Sequence, residues 1–324
     1  GILRASINWL RSDHRQIDSI YSEESGETDV LSQRFQQHLF STGIELEMPF
    51  RDDWGFSVGA SLDGNATPRT GNKPARSKET ALGVTGSLRY DLAEHRRFRI
   101  SIGRKVRFPT MRELFGEALR RFELNPNLKP ETSIQGEAAF EVQGASVSGE
   151  IVAFYRRTFD TIDQMVVDVD GERRRKRINL DGSRVRGVEV AGSIRILENL
   201  TADGHVSWMD PVAFVNDRTQ KLNEKPELLG SLTLNWITRW GGSAQANVRQ
   251  VGQAYALDQD NTQVALPSST VLNLRVALRR YFQTGGIFIE IYGGLNNVTD
   301  EVALPQLGLP GRGREMRVGA SLSF

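Results

Sequence analysis

Met316-Arg317-Val318-Gly319-Ala320-Ser321-Leu322-Ser323-Phe324 is the stretch whose reading decides the fold. Side chains of a β-strand alternate between two faces. Met316, Val318, Ala320, Leu322 and Phe324 therefore share one face, and Arg317, Gly319, Ser321 and Ser323 share the other. The apolar face carries no charge, and the sequence stops on it with an aromatic residue. Such a strand either covers a core or faces lipid, and the rest of the sequence must choose between them.

The pattern recurs along the 324 residues. Leu3, Ala5, Ile7 and Trp9 alternate with Arg4, Ser6 and Asn8. Trp54, Phe56, Val58, Ala60 and Leu62 oppose Gly55, Ser57, Gly59, Ser61 and Asp63. Phe98, Ile100 and Ile102 interleave with Arg97, Arg99, Ser101 and Gly103. Ile134, Ala138, Phe140 and Val142 oppose Gln135, Glu137, Glu141 and Gln143, and Val188, Val190 and Ile194 alternate with Glu189, Ser193 and Arg195. With further segments near 35–48, 82–90, 147–157, 200–209, 228–238, 243–254, 270–280 and 286–297, the alternation predicts about 14 strands. Each has roughly ten residues, the length a tilted strand needs to cross a bilayer.

Composition narrows the class. No run of 18 apolar residues exists, which excludes a transmembrane helix. Mean hydropathy is negative, yet this does not exclude a membrane barrel, in which only alternate residues meet lipid. The net charge of +1 argues against a nucleic-acid partner. The absence of cysteine suits passage through an oxidising compartment, although many cytoplasmic proteins also lack it. Gly1 stands inside a strand with no leader peptide before it, so a barrel reading makes the chain a mature or truncated piece.

The connections decide between core and lipid. Short turns are expected at 49–53, 91–95, 143–146, 196–199, 239–242 and 281–285. Long connections are expected at 13–33, 64–78, 109–130, 158–182, 211–226, 255–268 and 298–312, and the two kinds alternate strictly. Outer-membrane barrels combine short periplasmic turns with long extracellular loops in this way. All 11 prolines fall in these connections, ten of them in long ones, where no ladder N–H is lost. Aromatic residues gather near strand ends, with Trp54, Tyr90, Phe98, Trp236, Trp240, Tyr281 and Phe324 beside short turns and Trp9, Phe108, Tyr155 and Trp208 beside long loops. A bilayer's two interfaces select such belts. A soluble sheet with one buried face also alternates, but sandwiches rarely keep so strict a short–long rhythm. The fold expected is all-β, a transmembrane antiparallel barrel closed because lipid cannot satisfy an open edge. Arg97, Glu137, Glu141 and Glu189 then face the lumen.

Residues 107–133 are more specific. Arg107-Phe108-Pro109-Thr110, Glu113-Leu114-Phe115-Gly116 and Asn125-Pro126-Asn127-Leu128-Lys129-Pro130-Glu131 resemble the paired RxPT–ELF and NPxLKPE segments of TonB-dependent outer-membrane receptors. Phe154-Tyr155, Asp163, Asn179, Gly187-Val188-Glu189, Leu222 to Glu227, Asn296 to Asp300 and Pro310 to Gly313 follow in that family's order, so the likeness covers roughly 96–324. The terminal strand, closing on Phe324, resembles the one that the barrel assembly machinery reads. The resemblance implies a barrel of about 22 strands filled by an N-terminal plug. Such receptors import ferric siderophores, cobalamin, haem or some glycans with energy from the TonB complex. This chain has neither plug nor TonB box, which makes it the C-terminal part of such a barrel across 1–324. No histidine lies between Arg107 and Asn125, which disfavours haem.

The chemistry-bearing candidates are few. Arg120 and Arg121, with Arg173, Arg174 and Arg175 of the run Arg173 to Arg177, are expected to face an anionic ligand or lipopolysaccharide phosphates, or simply water. Asp258 to Asn261 and Asp168 to Gly171 offer oxygens but lack the full spacing of a calcium loop. The histidines show no metal-ligand spacing, and His38 and His205 are expected to be lumenal or interfacial. No GxSxG, HExxH or P-loop spacing occurs, so neither an enzyme nor a cofactor is expected. The expected function is a TonB-driven receptor importing a small-molecule ligand through the bacterial outer membrane, in contact with its lipid and lipopolysaccharide. The alternatives are a passive pore closed by these strands alone and a non-functional receptor fragment.

Overall fold

The computed structural model describes residues 1–21, 26, 28–116, 121–282 and 287–323. It forms one fifteen-stranded antiparallel sheet and two small accessory sheets. The main path runs in sequence order through β1 (Ile2–Tyr21), β2 (Thr28–Arg51), β3 (Trp54–Thr70), β4 (Glu79–Ala93) and β5 (Arg96–Arg107). Helix α1 (Met111–Phe115) and the short β6 (Phe122–Glu123) leave the path, which resumes with β7 (Glu131–Gln143) and β8 (Val147–Phe159). A hairpin of β9 (Ile162–Val169) and β10 (Glu172–Asn179) again stands aside before β11 (Gly182–Leu197) and β12 (Leu200–Val215). The short β13 (Arg218–Lys221) pairs only with β12. Then come β14 (Leu228–Ile237) and β15 (Gly242–Val251), the aside hairpin β16 (Ala254–Leu257) and β17 (Gln263–Leu266), and finally β18 (Ser269–Phe282), β19 (Ile287–Asn296) and β20 (Glu315–Ser323).

Every strand the alternation predicts is present on this path, in the predicted order. The register carries one apolar face across it, as in the row Phe56–Leu88–Ile100–Ala138–Ala153–Val188–Trp208–Leu228. No protein covers that face: Ile7 is 86% exposed and Val318 75%. Exposure on this scale exceeds that of ordinary soluble monomers and is of the kind an outer-membrane barrel presents on its outward face. The opposite face is polar and self-paired. Arg97 meets Asp91 at 2.6 Å, Arg99 reaches Glu150 at 3.4 Å and Glu141 at 3.8 Å, and Ser207 donates to Glu189 at 3.1 Å. The expected inward charges are therefore on the lumen side. His205 joins them against Ser231, while His38 lies at the interface edge-on to Trp9.

Several expectations need correction. The connection 13–33 is mostly strand, because β1 and β2 continue pairing to Tyr21↔Thr28. Both faces are in water there, so the arms alternate without an apolar face. The connections at 64–78, 158–182, 211–226 and 255–268 likewise contain strand extensions or hairpins. Pro49, Pro68 and Pro211 consequently sit inside strands. Pro49 adjoins a register shift and Pro68 falls in the bulge opposite Gln37, where a missing N–H breaks no ladder. Tyr281 packs at a tilt against Phe288 on the polar face, on the same side as Arg279 and Glu290, so it belongs to the lumen side and not to an aromatic belt. Phe324 lies outside the described residues. β1 and β20 each have one neighbour among the described residues.

The two faces differ in what they tolerate. Val190→Arg, in the middle of the apolar face, is expected to cost about 2–4 kcal/mol in urea unfolding from lipid vesicles, whereas Glu189→Gln on the polar face costs less than about 1 kcal/mol. Equal losses would overturn the assignment of faces.

Candidate functional site

The short turns, at 52–53, 94–95, 144–146, 198–199 and 238–241 among the described residues, all lie at one end of the sheet. The long connections cluster at the other end and build a folded platform. Its base is set by the two motifs. Thr110 caps α1, with its hydroxyl accepting from the Glu113 N–H and the Glu113 carboxylate accepting from the Thr110 N–H. Arg107 binds Glu113 at 2.9 Å and Glu131 at 2.6 Å, fastening the two motifs together. Leu114, Phe115 and Leu128 bury with Phe35 in the principal hydrophobic cluster, where the Phe35 and Phe115 rings stack at 5.1 Å.

The NPNLKPE segment holds backbone. Asn125 donates to the Arg177 carbonyl at 3.0 Å and accepts from the Asn127 N–H. Glu131 accepts from the Ile162 N–H at 2.6 Å, where β9 begins. Asn179 accepts from the Lys129 N–H and donates to the carbonyls of Lys129 and Asp160. Arg76 donates to the carbonyls of Pro126 and Leu128. Pro130 removes a donor that the strand entry does not use. These contacts bring β6 beside β10, so the platform's small sheet runs β6–β10–β9.

The arginine run forms β10 itself, and its members therefore point to alternate faces. Arg173 is held by Asp260 at 2.8 Å and by the Gln259 carbonyl, and Arg174 by Glu172 at 3.1 Å. Arg177 lies over the Phe122 ring at 4.4 Å, and burial pulls its pKa below the usual arginine value. Arg121 is exposed and offers its carbonyl to the Arg175 N–H. Arg120 lies outside the described residues. Of the described arginines expected to meet ligand, Arg175 lines a cavity.

That cavity, about 180 Å³, lies where four long connections meet. Asp163 and Arg175 come from the β9–β10 hairpin, Asn223 and Glu224 from the segment after β13, Leu257 from β16 and Gln306 from the connection before β20. Asn223 donates to Asp163 at 3.2 Å and accepts from Gln263, and Gln306 reaches Glu224 at 3.5 Å. Opposite, the β16–β17 tip clasps β9, since the Asn261 amide pairs both the N–H and the carbonyl of Val166. Asp258 accepts through Oδ1 from the N–H groups of Asp260 and Thr262, which closes the tip's own turn. No metal-holding group of side chains occurs among the described residues. Gln306 escaped sequence reading, and Asn223 and Glu224 stood there only within the stretch Leu222 to Glu227 and not as site residues, because the three converge only through loop folding.

A family model described as TonB dependent receptor-like, beta-barrel matches residues 3–298. The chain belongs to the TonB-dependent receptors. Similar solved structures include the copper transporter OprC, at 18% identity over 98% of this chain and 53% of that one, with a TM-score of 0.76. The ferric-catecholate import receptor Fiu of E. coli K12 matches at 14% identity over 98% of this chain and 51% of its own, with a TM-score of 0.73. The ferric citrate transporter FecA, in its unliganded form, matches at 13%, 99% and 51%, with a TM-score of 0.74. Identities this low carry the fold alone. The receptor chain spans about half the length of these proteins. No curated protein matches its sequence.

Burial raises the Asp163 pKa, and Glu224 adds to the rise, against the hydrogen bonds from Gln164 and Asn223. A folded-state value above the unfolded one means that protonated Asp163 stabilises the platform fully below the ordinary value of 3.8. The contribution is lost as pH rises through the raised value. Amide exchange at Gln164 and Asn223 is expected to rise across that window beyond its intrinsic pH dependence, and Asp163→Asn to abolish the excess.

Proposed function

We propose that this chain supplies the C-terminal part of the barrel wall, and the extracellular platform, of an outer-membrane receptor that imports a scarce small molecule. A ferric siderophore, cobalamin or a compound of similar kind is the cargo. Energy comes from the TonB complex acting on a plug domain outside these strands. The observation that carries the reading is the cavity that four long connections enclose, above a sheet whose lipid and lumen faces are both defined. Ligand meets the cavity from the extracellular side, with Arg175, Asp163 and Glu224 as its charged contacts.

The unpaired edges of β1 and β20 favour this reading over a pore made of these strands alone. In lipid each unsatisfied backbone group costs several kcal/mol, so both edges need further strands, which a longer barrel supplies. The share of the solved receptors that the chain covers fits the same account. Phe324 serves the barrel assembly machinery as the terminal signal, and the apolar face takes outer-membrane lipid.

The test is uptake of radio-iron-loaded siderophores and radiolabelled cobalamin by cells carrying the native gene, with and without TonB. At least one cargo is expected to enter only when TonB is present, and its surface binding to fall in an Asp163→Ala/Glu224→Ala variant. TonB-independent flux or conductance across a planar bilayer would sink the receptor reading in favour of a pore.

A further inference from the structure

The platform cavity is lined by two opposite charges that do not pair with each other. Its cation is Arg175, whose guanidinium has no ion-pair or hydrogen-bond partner among the described residues, although Arg173 and Arg174 beside it are both held. Its free anion is Glu224, whose carboxylate is reached only by the Gln306 amide, at 3.5 Å. Asp163, the other acid, is spent on the platform itself. One of its oxygens accepts from the Gln164 N–H at 2.8 Å and the other from Asn223 at 3.2 Å.

The register explains why the two charges stay apart. In the β9–β10 ribbon Arg175 stands opposite Val166, and Ile178 opposite Asp163. Directly opposed residues share a face and successive residues alternate. Arg175 and Val166 therefore occupy one face of the ribbon and Asp163 and Met165 the other, so the cavity takes in the β9 edge. Glu224 lies on Asp163's side, close enough to push the Asp163 pKa up. Its backbone is itself constrained. The φ of 56° falls in the left-handed region, where every other non-glycine residue among those described is Asn or Asp. Short polar side chains tolerate that region better than a longer one does. The Glu224 N–H is fixed by the Tyr255 carbonyl at 2.7 Å. Strain of this kind gathers where a side chain has to be presented to a ligand.

The remaining wall is apolar. Leu257 comes from β16, and Leu307 and Leu309 flank Gly308 in a turn closed by the Leu309 N–H on the Gln306 carbonyl. Asn297 fastens the base of that connection, donating to the carbonyls of Glu301 and Arg312 and accepting from the Glu301 N–H. Leu307 and Leu309 stay exposed at its tip, beside the unpaired charges.

We infer that the cavity recognises a zwitterionic, amino-acid-type end of the cargo: its carboxylate on Arg175, its ammonium on Glu224 and an apolar side group against Leu307 and Leu309. At about 180 Å³ the cavity is smaller than the roughly 300–1,000 Å³ that encloses a whole drug-sized molecule, so it takes one end of a larger cargo. Charge-assisted hydrogen bonds to two fixed groups of opposite sign select a ligand that carries both charges. A ligand with only one leaves the other group unmet. The inference rests on the receptor reading and adds to it the chemical class of the cargo.

The test uses the full-length receptor, expressed from its native gene and purified from outer membranes in mild detergent. Four probes separate the contributions. Leucine carries both charges, N-acetyl-leucine only the carboxylate, leucinamide only the ammonium, and N-acetyl-leucinamide neither. Dissociation constants are read by saturation-transfer NMR. Leucine is expected to bind about tenfold or more tighter than either singly charged probe, the size of one charge-assisted hydrogen bond. Glu224→Gln is expected to bring leucine down to the level of N-acetyl-leucine, and Arg175→Gln to the level of leucinamide. A Leu307→Ser/Leu309→Ser variant weakens all four together, and Arg121→Gln changes none. Equal binding of leucine and N-acetyl-leucinamide by the unaltered receptor, or no binding of any probe, overturns the inference even if the variants misfold. Should TonB-dependent uptake persist in that case, the receptor reading stands and only the assignment of the cavity falls. TonB-independent flux removes the receptor reading, and the cargo with it, whichever probe binds.

Discussion

A peptide group in hydrocarbon must find its hydrogen bond inside the protein. That constraint orders the whole main sheet. From β1 to β20 each strand pairs with its sequence neighbours on the path, so the ladder is continuous through the band where water is absent. The register shifts obey the same rule. Those at Pro49/Arg51, Asp91/Ala93 and Arg195/Leu197 adjoin short turns, and the one at Gln36/His38 lies beyond Trp9 on the long-loop side. A bulge leaves a residue unpaired; beside the short turns such residues are exposed, whereas at Gln36/His38 the buried Gln37 amide donates to Asn65 and to the Pro109 carbonyl.

Once the ladder is fixed, period two distributes the side chains. The polar face receives the charges, and several pair there: Glu290 accepts from both Arg275 and Arg279, and Arg4 binds Glu45 and Glu47. The apolar face receives none in its middle. At its long-loop margin Arg157 and Arg184 are cross-strand neighbours, and Arg184 pairs with Asp210 at 3.0 Å.

The spanning strands were legible in the sequence because lipid imposes a single demand on every alternate position. Trp54 to Asp63 shows it in full. Tyr21 and Thr28 pair just as regularly, but both faces of that hairpin are wet and no apolar alternation marks it. The platform was legible only at its motifs. Arg107, Glu113 and Glu131 stand in a recognisable order, yet nothing in that order says that they bind one another. Of the cavity residues, Gln306 carries no local signal, and Asn223 and Glu224 lie in the stretch Leu222 to Glu227, which marks family order but not a cavity. Glu224 has a positive φ of 56° and bonds its N–H to the Tyr255 carbonyl, a constraint imposed by a loop distant in sequence.

The division between motif and cavity has a physical basis. Asn125, Asn179, Arg76 and Glu131 act on backbone groups, on the carbonyls of Arg177, Asp160 and Leu128 and the N–H of Ile162. A bond to a carbonyl or an N–H is indifferent to the side chain that residue carries. The framework can therefore hold β9, β10 and their neighbours in place while the side chains they present are exchanged. Asp163 and Arg175 illustrate the result: their strands are pinned by motif residues, but their own side chains face the cavity. A receptor built this way changes cargo by altering side chains on the platform without dismantling it. The motif that identifies the family is for the same reason silent about the ligand.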